Sequence, residues 1–145
     1  MHIAGRWVHG DDNIIRPVIK CAVLAADGSW APTEILVDTG ADRTVFMASF
    51  LTALALPYLP ASHQLGGVGG AATTVTVGTQ IRFELEGGGT ILFQGTYAAF
   101  TQPDALDMNI LGRDIMNLFG VIIDRPGDVV CMIGKEHRYA IGVQL

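Results

Sequence analysis

The chain has 145 residues, half of them hydrophobic and 16% charged, with a formal net charge of −5. This composition reads as a single folded domain over residues 1–145 and argues against a disordered chain. The nine Lys and Arg residues are scattered, so no basic stripe points to nucleic acid or to an anionic membrane surface.

Residues 1–13 show no clear period and are expected to form an N-terminal arm or irregular lead-in. The start, Met1 to Trp7, lacks the charged head, apolar middle and small-residue cleavage site of a secretory signal, so a cytoplasmic location is the expectation. Pro17 to Leu24 reads as a strand, Ala26-Asp27-Gly28-Ser29 as its turn, and Thr33 to Val37 as the return strand. Asp38-Thr39-Gly40-Ala41 follows it. Phe46, Phe50, Leu51 and Leu54 fall at helical spacing and predict a short helix over 47–55, stopped by Pro57. The region from Val45 to Leu59 is the richest in apolar residues. Ser49, Thr52 and Pro57 break it, well short of the roughly 18 residues that a membrane span needs.

A glycine cluster, Gly66-Gly67-Val68-Gly69-Gly70, comes next. Thr73 to Val77 and Gln80 to Leu85 read as two strands. Gly87-Gly88-Gly89 turns the chain into Thr90 to Phe93, and Thr96 to Phe100 reads as another strand. The second half of Asp107 to Phe119 predicts a short helix, with Gly120 placed as a C-terminal cap. Val121 to Ile123 and Asp128 to Ile133 predict a terminal hairpin, and Tyr139 to Val143 a last strand. Short strands with two brief helices make this a mostly β domain of barrel or sandwich type. Strands and long helices do not alternate, which disfavours a doubly wound fold.

Asp38 carries the chemistry. A carboxylate at the end of an extended apolar run, Ile35-Leu36-Val37, in a tight Thr-Gly turn, is what an aspartic protease uses to activate water. Such a site needs two carboxylates sharing one proton, because close like charges do not both ionise. The motif occurs once, so the second Asp has to come from another copy of the chain. The competing reading is a carboxylate that only makes Asx-turn hydrogen bonds.

Other chemistries find little support. GxxxxGK[ST] is absent, which disfavours a phosphate-cradling role for the glycine cluster. His2, His9 and His63 lack metal-ligand spacing, and no HExxH or Cys/His cluster predicts a metal. There is no GxSxG motif. Cys21 and Cys131 each sit inside an apolar strand-like run and read as buried, inert thiols. A disulfide between them would require neighbouring strands.

The Asp38 to Ala41 turn, the glycine-rich hairpin and the segment Asn109-Ile110-Leu111-Gly112-Arg113-Asp114, in that order, resemble the retropepsin family of homodimeric aspartic proteases. The likeness runs over about residues 16–133, and the helix after the motif and the terminal hairpin are more similar to cellular and bacterial members than to viral ones. The resemblance implies a retropepsin-like closed barrel and a homodimer with Asp38 as the catalytic residue. Thr39 would hydrogen-bond across the subunit interface, and the Gly40 carbonyl would bind substrate main chain. Gly40 would also permit close backbone approach and unusual dihedrals. Asp42 and Arg113 would pair to brace the loop, and Asp42 would also meet substrate backbone.

Gly66, Gly67, Val68, Gly69 and Gly70 would form the tip of a flap closing over an extended peptide or protein substrate. Ala41 stands where pepsins often carry a hydroxyl, which implies a mildly acidic optimum. No metal or organic cofactor is implied. Two alternatives stay open: a dimeric peptide-binding module of the same fold without turnover, and a monomeric β-barrel in which Asp38 only shapes a turn.

Overall fold

The computed structural model describes residues 1–67, 70–134, 140 and 142, the side chains from 61 to 72 excepted. Among the described residues, β1 (His2–Ala4), β2 (Arg6–His9), β3 (Ile15–Leu24), β4 (Trp30–Val37) and β5 (Val45–Phe46) precede helix α1 (Ala48–Leu54). Then come β6 (Leu59–Gly67), β7 (Gly70–Glu84), β8 (Thr90–Phe100) and β9 (Asn109–Leu111). Helix α2 (Arg113–Met116) and the hairpin β10 (Gly120–Asp124) and β11 (Val129–Ile133) complete the order.

Eight strands form one sheet in the order β2-β3-β4-β9-β5-β8-β7-β6, and an added β3–β7 pairing closes six of them into a ring. The fold is therefore mostly β and barrel-like. Most ladders are antiparallel, but β4 lies parallel to β9, with Val37 opposite Leu111. That pairing places the end of β4, and so Asp38, beside the Gly112-Arg113 turn, although the two are far apart in sequence. A smaller sheet, β1-β11-β10, carries the terminal hairpin.

The barrel interior is apolar. Phe46, Ile19, Ile35, Phe83, Ile81 and Leu111 are fully buried, and this burial is the main force holding the strands together. Along β4 the alternation is plain: Ile35 and Val37 face the core while Glu34 and Leu36 stand on the other face. On that outer face, Val45, Ala98 and Phe100 form a second cluster with Ala105, Leu106 and Ile110. The connection between β8 and β9 thus packs down over the sheet. No helix among the described residues is long and apolar enough to cross a membrane.

Several expectations are corrected. Residues 1–13 are not an irregular arm: β1 pairs with β11, β2 pairs with β3, and Ile3 is buried. Short strands of this kind gain their order from a distant partner, which local periodicity does not carry. The four strands expected between Thr73 and Phe100 are two long ones. The ladder runs through Gly78 opposite Thr96 and Thr79 opposite Gly95 without a break. A glycine within a strand costs about 1 kcal/mol or less, too little to interrupt a ladder of this length. Gly87, Gly88 and Gly89, by contrast, do turn the chain, all three with positive φ. Helix α2 ends at Met116 with Asn117 as its C-cap, and Gly120 opens β10 instead of capping the helix. The terminal hairpin forms as expected. The strand expected over 139–143 lies outside the described residues, apart from 140 and 142, which are in no strand. Cys21 and Cys131 are both free thiols, the first buried and the second half-buried.

Candidate active site

Asp38 is the first residue past β4. Its amide donates to the Leu111 carbonyl at 3.2 Å, which extends the parallel ladder by one bond. Its carbonyl accepts from the Ala41 amide at 3.1 Å, closing the turn. One carboxylate oxygen, Oδ1, accepts from the Gly40 amide at 3.0 Å. The Asx turn left open by the sequence is therefore present, and it coexists with a side chain that stays half-exposed. Thr39 and Gly40 are exposed at the tip. Gly40 does not use a positive φ. Its small size matters instead, because a Cβ there would sit 3.3 Å from Asp38 Oδ1.

The loop is anchored to the start of α2. The Arg113 amide donates to the Ala41 carbonyl at 2.9 Å and the Asp114 amide to the Asp42 carbonyl at 3.2 Å. The Arg113 side chain adds a bond from Nη1 to the Thr39 carbonyl at 3.1 Å and an ion pair from Nη2 to Asp42 Oδ1. The expected Asp42–Arg113 pair is thus present. Both partners are substantially exposed, so the pair fixes loop geometry more than it adds stability.

Beside it lies a polar network, buried at Thr44 and Asn109 and exposed at Asp114, that sequence reasoning missed. Thr44 is fully buried. Its amide lies 3.0 Å from both Asp114 carboxylate oxygens, and its hydroxyl donates to Oδ1 at 2.7 Å. The same hydroxyl accepts from the Gly112 amide at 3.1 Å. Gly112 packs so closely on the Arg43-Thr44 peptide that a Cβ would collide with the Arg43 carbonyl. Asn109, also buried, accepts from the Met47 amide at 2.8 Å and donates to Thr33 Oγ1 at 3.0 Å. Buried polar groups so completely paired make a rigid platform. The signal for Asp114 and Asn109 was present, since both belong to the Asn109 to Asp114 motif, but a role for either requires the fold.

Gly66 and Gly67 end β6 and Gly70 begins β7, with Gly67 opposite Gly70. Gly66, Gly67 and Gly70 therefore lie at the end of the β6–β7 ladder. Val68 and Gly69 lie outside the described residues. Among the described residues no group of three or more His, Cys, Asp or Glu side chains could hold a metal ion.

The family of retroviral aspartyl proteases matches residues 14–124 of this chain. Among solved structures, EIAV protease complexed with the inhibitor HBY-793 is similar at 24% identity and a TM-score of 0.53. It covers 76% of this chain and 92% of its own. A retropepsin-like aspartic protease from Rickettsia conorii is similar at 16% identity and a TM-score of 0.51, over 91% of this chain and 86% of its own. Both likenesses concern the fold. Among curated proteins none matches the chain.

Proposed function

This chain belongs to the retroviral aspartyl protease family and is an aspartic peptidase, and from that premise we propose that it works as a homodimeric endopeptidase. One water is held between Asp38 and Asp38 of the partner subunit. The observation that carries the reading is the setting of Asp38: a half-exposed carboxylate on an exposed Thr39-Gly40 tip, braced from behind by Arg113 and Asp114. A single chain supplies this carboxylate once, and the chemistry needs it twice.

The two carboxylates share one proton and titrate as a unit. The ionised one takes a proton from the water as its oxygen bonds to the scissile carbonyl carbon. The protonated one gives its proton to the carbonyl oxygen, yielding a neutral gem-diol. Collapse of the diol breaks the C–N bond. The leaving nitrogen takes a proton from the protonated Asp as a diol hydroxyl gives its proton to the other, which restores the singly protonated dyad and releases the new carboxyl group with the other product. Thr39 hydroxyls tie the two loops together across the dyad, because a hydroxyl both donates and accepts. The Gly40 carbonyl and Asp42 meet the substrate main chain, which lies extended beneath the flap of Gly66, Gly67, Val68, Gly69 and Gly70. No metal or organic cofactor takes part.

Digestion of a peptide library by wild type and Asp38→Asn, across roughly pH 4 to 7, tests the reading. Cleavage is expected from wild type alone. Equal cleavage by both proteins would sink the dyad, and a tight dimer that cleaves nothing would identify a peptide-binding module.

A further inference from the structure

A cavity of about 630 Å³ opens on the outer face of the sheet, between the β2–β3 hairpin and the residues just before β9. One wall, from Arg6 to Asp12, comes largely from residues before position 14, where the family match begins. The other includes Glu34 of β4 together with Asp107 and Met108. The cavity lies close to the catalytic loop. The β3–β4 ladder reaches Val18 opposite Leu36, two residues short of Arg16 on one strand and of Asp38 on the other. Glu34 and Leu36 share one face of β4 by strand alternation, four and two residues before Asp38. Glu34 is four residues from Asp38, a span of about 13 Å and equal to four residues of extended peptide.

Trp7, Val8 and Met108 give the cavity an apolar part, the rest of its lining is mainly charged, and the charge balance is negative. Trp7 is fixed by a bond from its indole nitrogen to the Asp124 carbonyl at 3.2 Å, and the Arg125 guanidinium lies over its ring. Val8 and Met108 add aliphatic surface. Four carboxylates line the cavity against two guanidiniums. Arg16 is engaged by Asp12 at 3.0 and 2.5 Å. Its guanidinium holds the Asp12 carboxyl down at about 2, so this pair stays formed at mildly acidic pH. Arg6 is engaged by Glu34 Oε1 at 2.7 Å. The other Glu34 oxygen, Oε2, is buried without a hydrogen-bond partner. Asp11 and Asp107 remain as uncompensated charges, Asp107 only grazing Arg16 at 3.8 Å.

We propose that this cavity is a specificity pocket for a basic substrate side chain, Lys or Arg, placed within four residues of the cleaved bond. The proposal rests on the peptidase reading above. The aliphatic stem lies along Trp7, Val8 and Met108 while the charged head meets Glu34 and Asp107, as long cationic side chains do at half-apolar surfaces. The Glu34 side chain is about one-third exposed and one of its oxygens, Oε2, has no partner, which leaves it capacity to accept from an incoming donor.

The test uses matched peptides carrying Lys, Arg, norleucine or Glu at each position in turn. Cleavage by wild type and by Glu34→Gln and Asp107→Asn is compared, and binding of the same peptides to Asp38→Asn is followed by fluorescence anisotropy. A charge-assisted contact predicts about a tenfold preference for Lys over norleucine at one position, falling to about twofold or less in Glu34→Gln. Glu at that position is expected to be the poorest. Cleavage with no basic preference, or a preference that survives both substitutions, overturns the pocket and leaves the peptidase reading intact. Binding without cleavage, but with the same Glu34-dependent preference, supports the pocket and counts against turnover. Neither binding nor cleavage of any peptide overturns both.

Discussion

Asp114 holds Thr44 twice, accepting from its amide at 3.0 Å and from its hydroxyl at 2.7 Å. Thr44 is buried although Asp114 is itself exposed, and the Thr44 hydroxyl in turn receives the Gly112 amide. Asp114→Ala would strip partners from two buried donors, each costing about 1–3 kcal/mol when unsatisfied. A loss of about 3 kcal/mol in unfolding free energy is expected from urea titration. Gly112→Ala drives a methyl group into the Arg43 carbonyl and should cost about 2 kcal/mol or more for the same platform. A change below about 0.5 kcal/mol in either variant would show that the network does not brace the loop.

Arg113 serves the opposite, exposed side of the loop through Asp42 and the Thr39 carbonyl. An ion pair so exposed adds only about 0–1 kcal/mol to stability. Its removal frees the Thr39 tip, the part proposed to meet a second subunit. Arg113→Ala is therefore expected to weaken dimerisation or folding more than it alters substrate preference. Sedimentation should report a larger monomer fraction at equal concentration. The ratio of kcat/KM between two good peptides should stay within about twofold of wild type. A switch in preferred peptide with an intact dimer would reassign Arg113 to substrate recognition.

The sequence made the local features legible where short-range chemistry set them. Asp38, its turn, the Asp42–Arg113 pair, helix α1 and the β10–β11 hairpin all follow from adjacent residues or from a motif. What stayed hidden depends on partners far along the chain. β1 exists because His2 to Ala4 pair with Cys131 to Ile133, and no window around residue 3 contains that fact. Thr44 reads as an ordinary polar residue until the β4–β9 pairing brings Asp114 beside it. Gly78 and Gly95 look like strand breaks because turn chemistry weighs heavily in a short window, whereas the β7–β8 ladder bridges both.

Cys21 and Tyr97 give the fold an alkaline limit. Burial pushes the Cys21 thiol up from 9.0 to about 12. Burial, with the Asp114 charge adding to it, pushes Tyr97 up from 10.0 to about 12. In both, the neutral form belongs to the folded state. Well below pH 9 both groups stay protonated in either state and their contribution is fully present. As pH rises from about 9 to 12 the unfolded chain loses these protons first, so stability falls, by at most about 1.4 kcal/mol per pH unit per group. Unfolding free energies at a series of alkaline pH values should show this slope. Cys21→Ala and Tyr97→Phe should each flatten it, whatever they do to the baseline. An unchanged slope in both variants would mean that neither thiol nor phenol sets the limit.

Ala41 is expected to set the acid side of the activity. It closes the Asp38 turn through its amide and brings no hydroxyl to the carboxylates. A hydroxyl donating to a carboxylate favours the ionised form and moves its titration to lower pH. With only a methyl group here, the dyad should ionise less readily and the pH–rate profile should peak at mildly acidic pH. Ala41→Ser supplies the missing donor, so its kcat/KM profile should move to lower pH, by about half a unit to one unit if one hydrogen bond is gained. Ala41→Val, which adds bulk without a donor, should leave the position of the profile unchanged even if it lowers its height. A wild-type optimum below about pH 3, or an Ala41→Ser profile moved toward neutrality, would contradict this role for the residue.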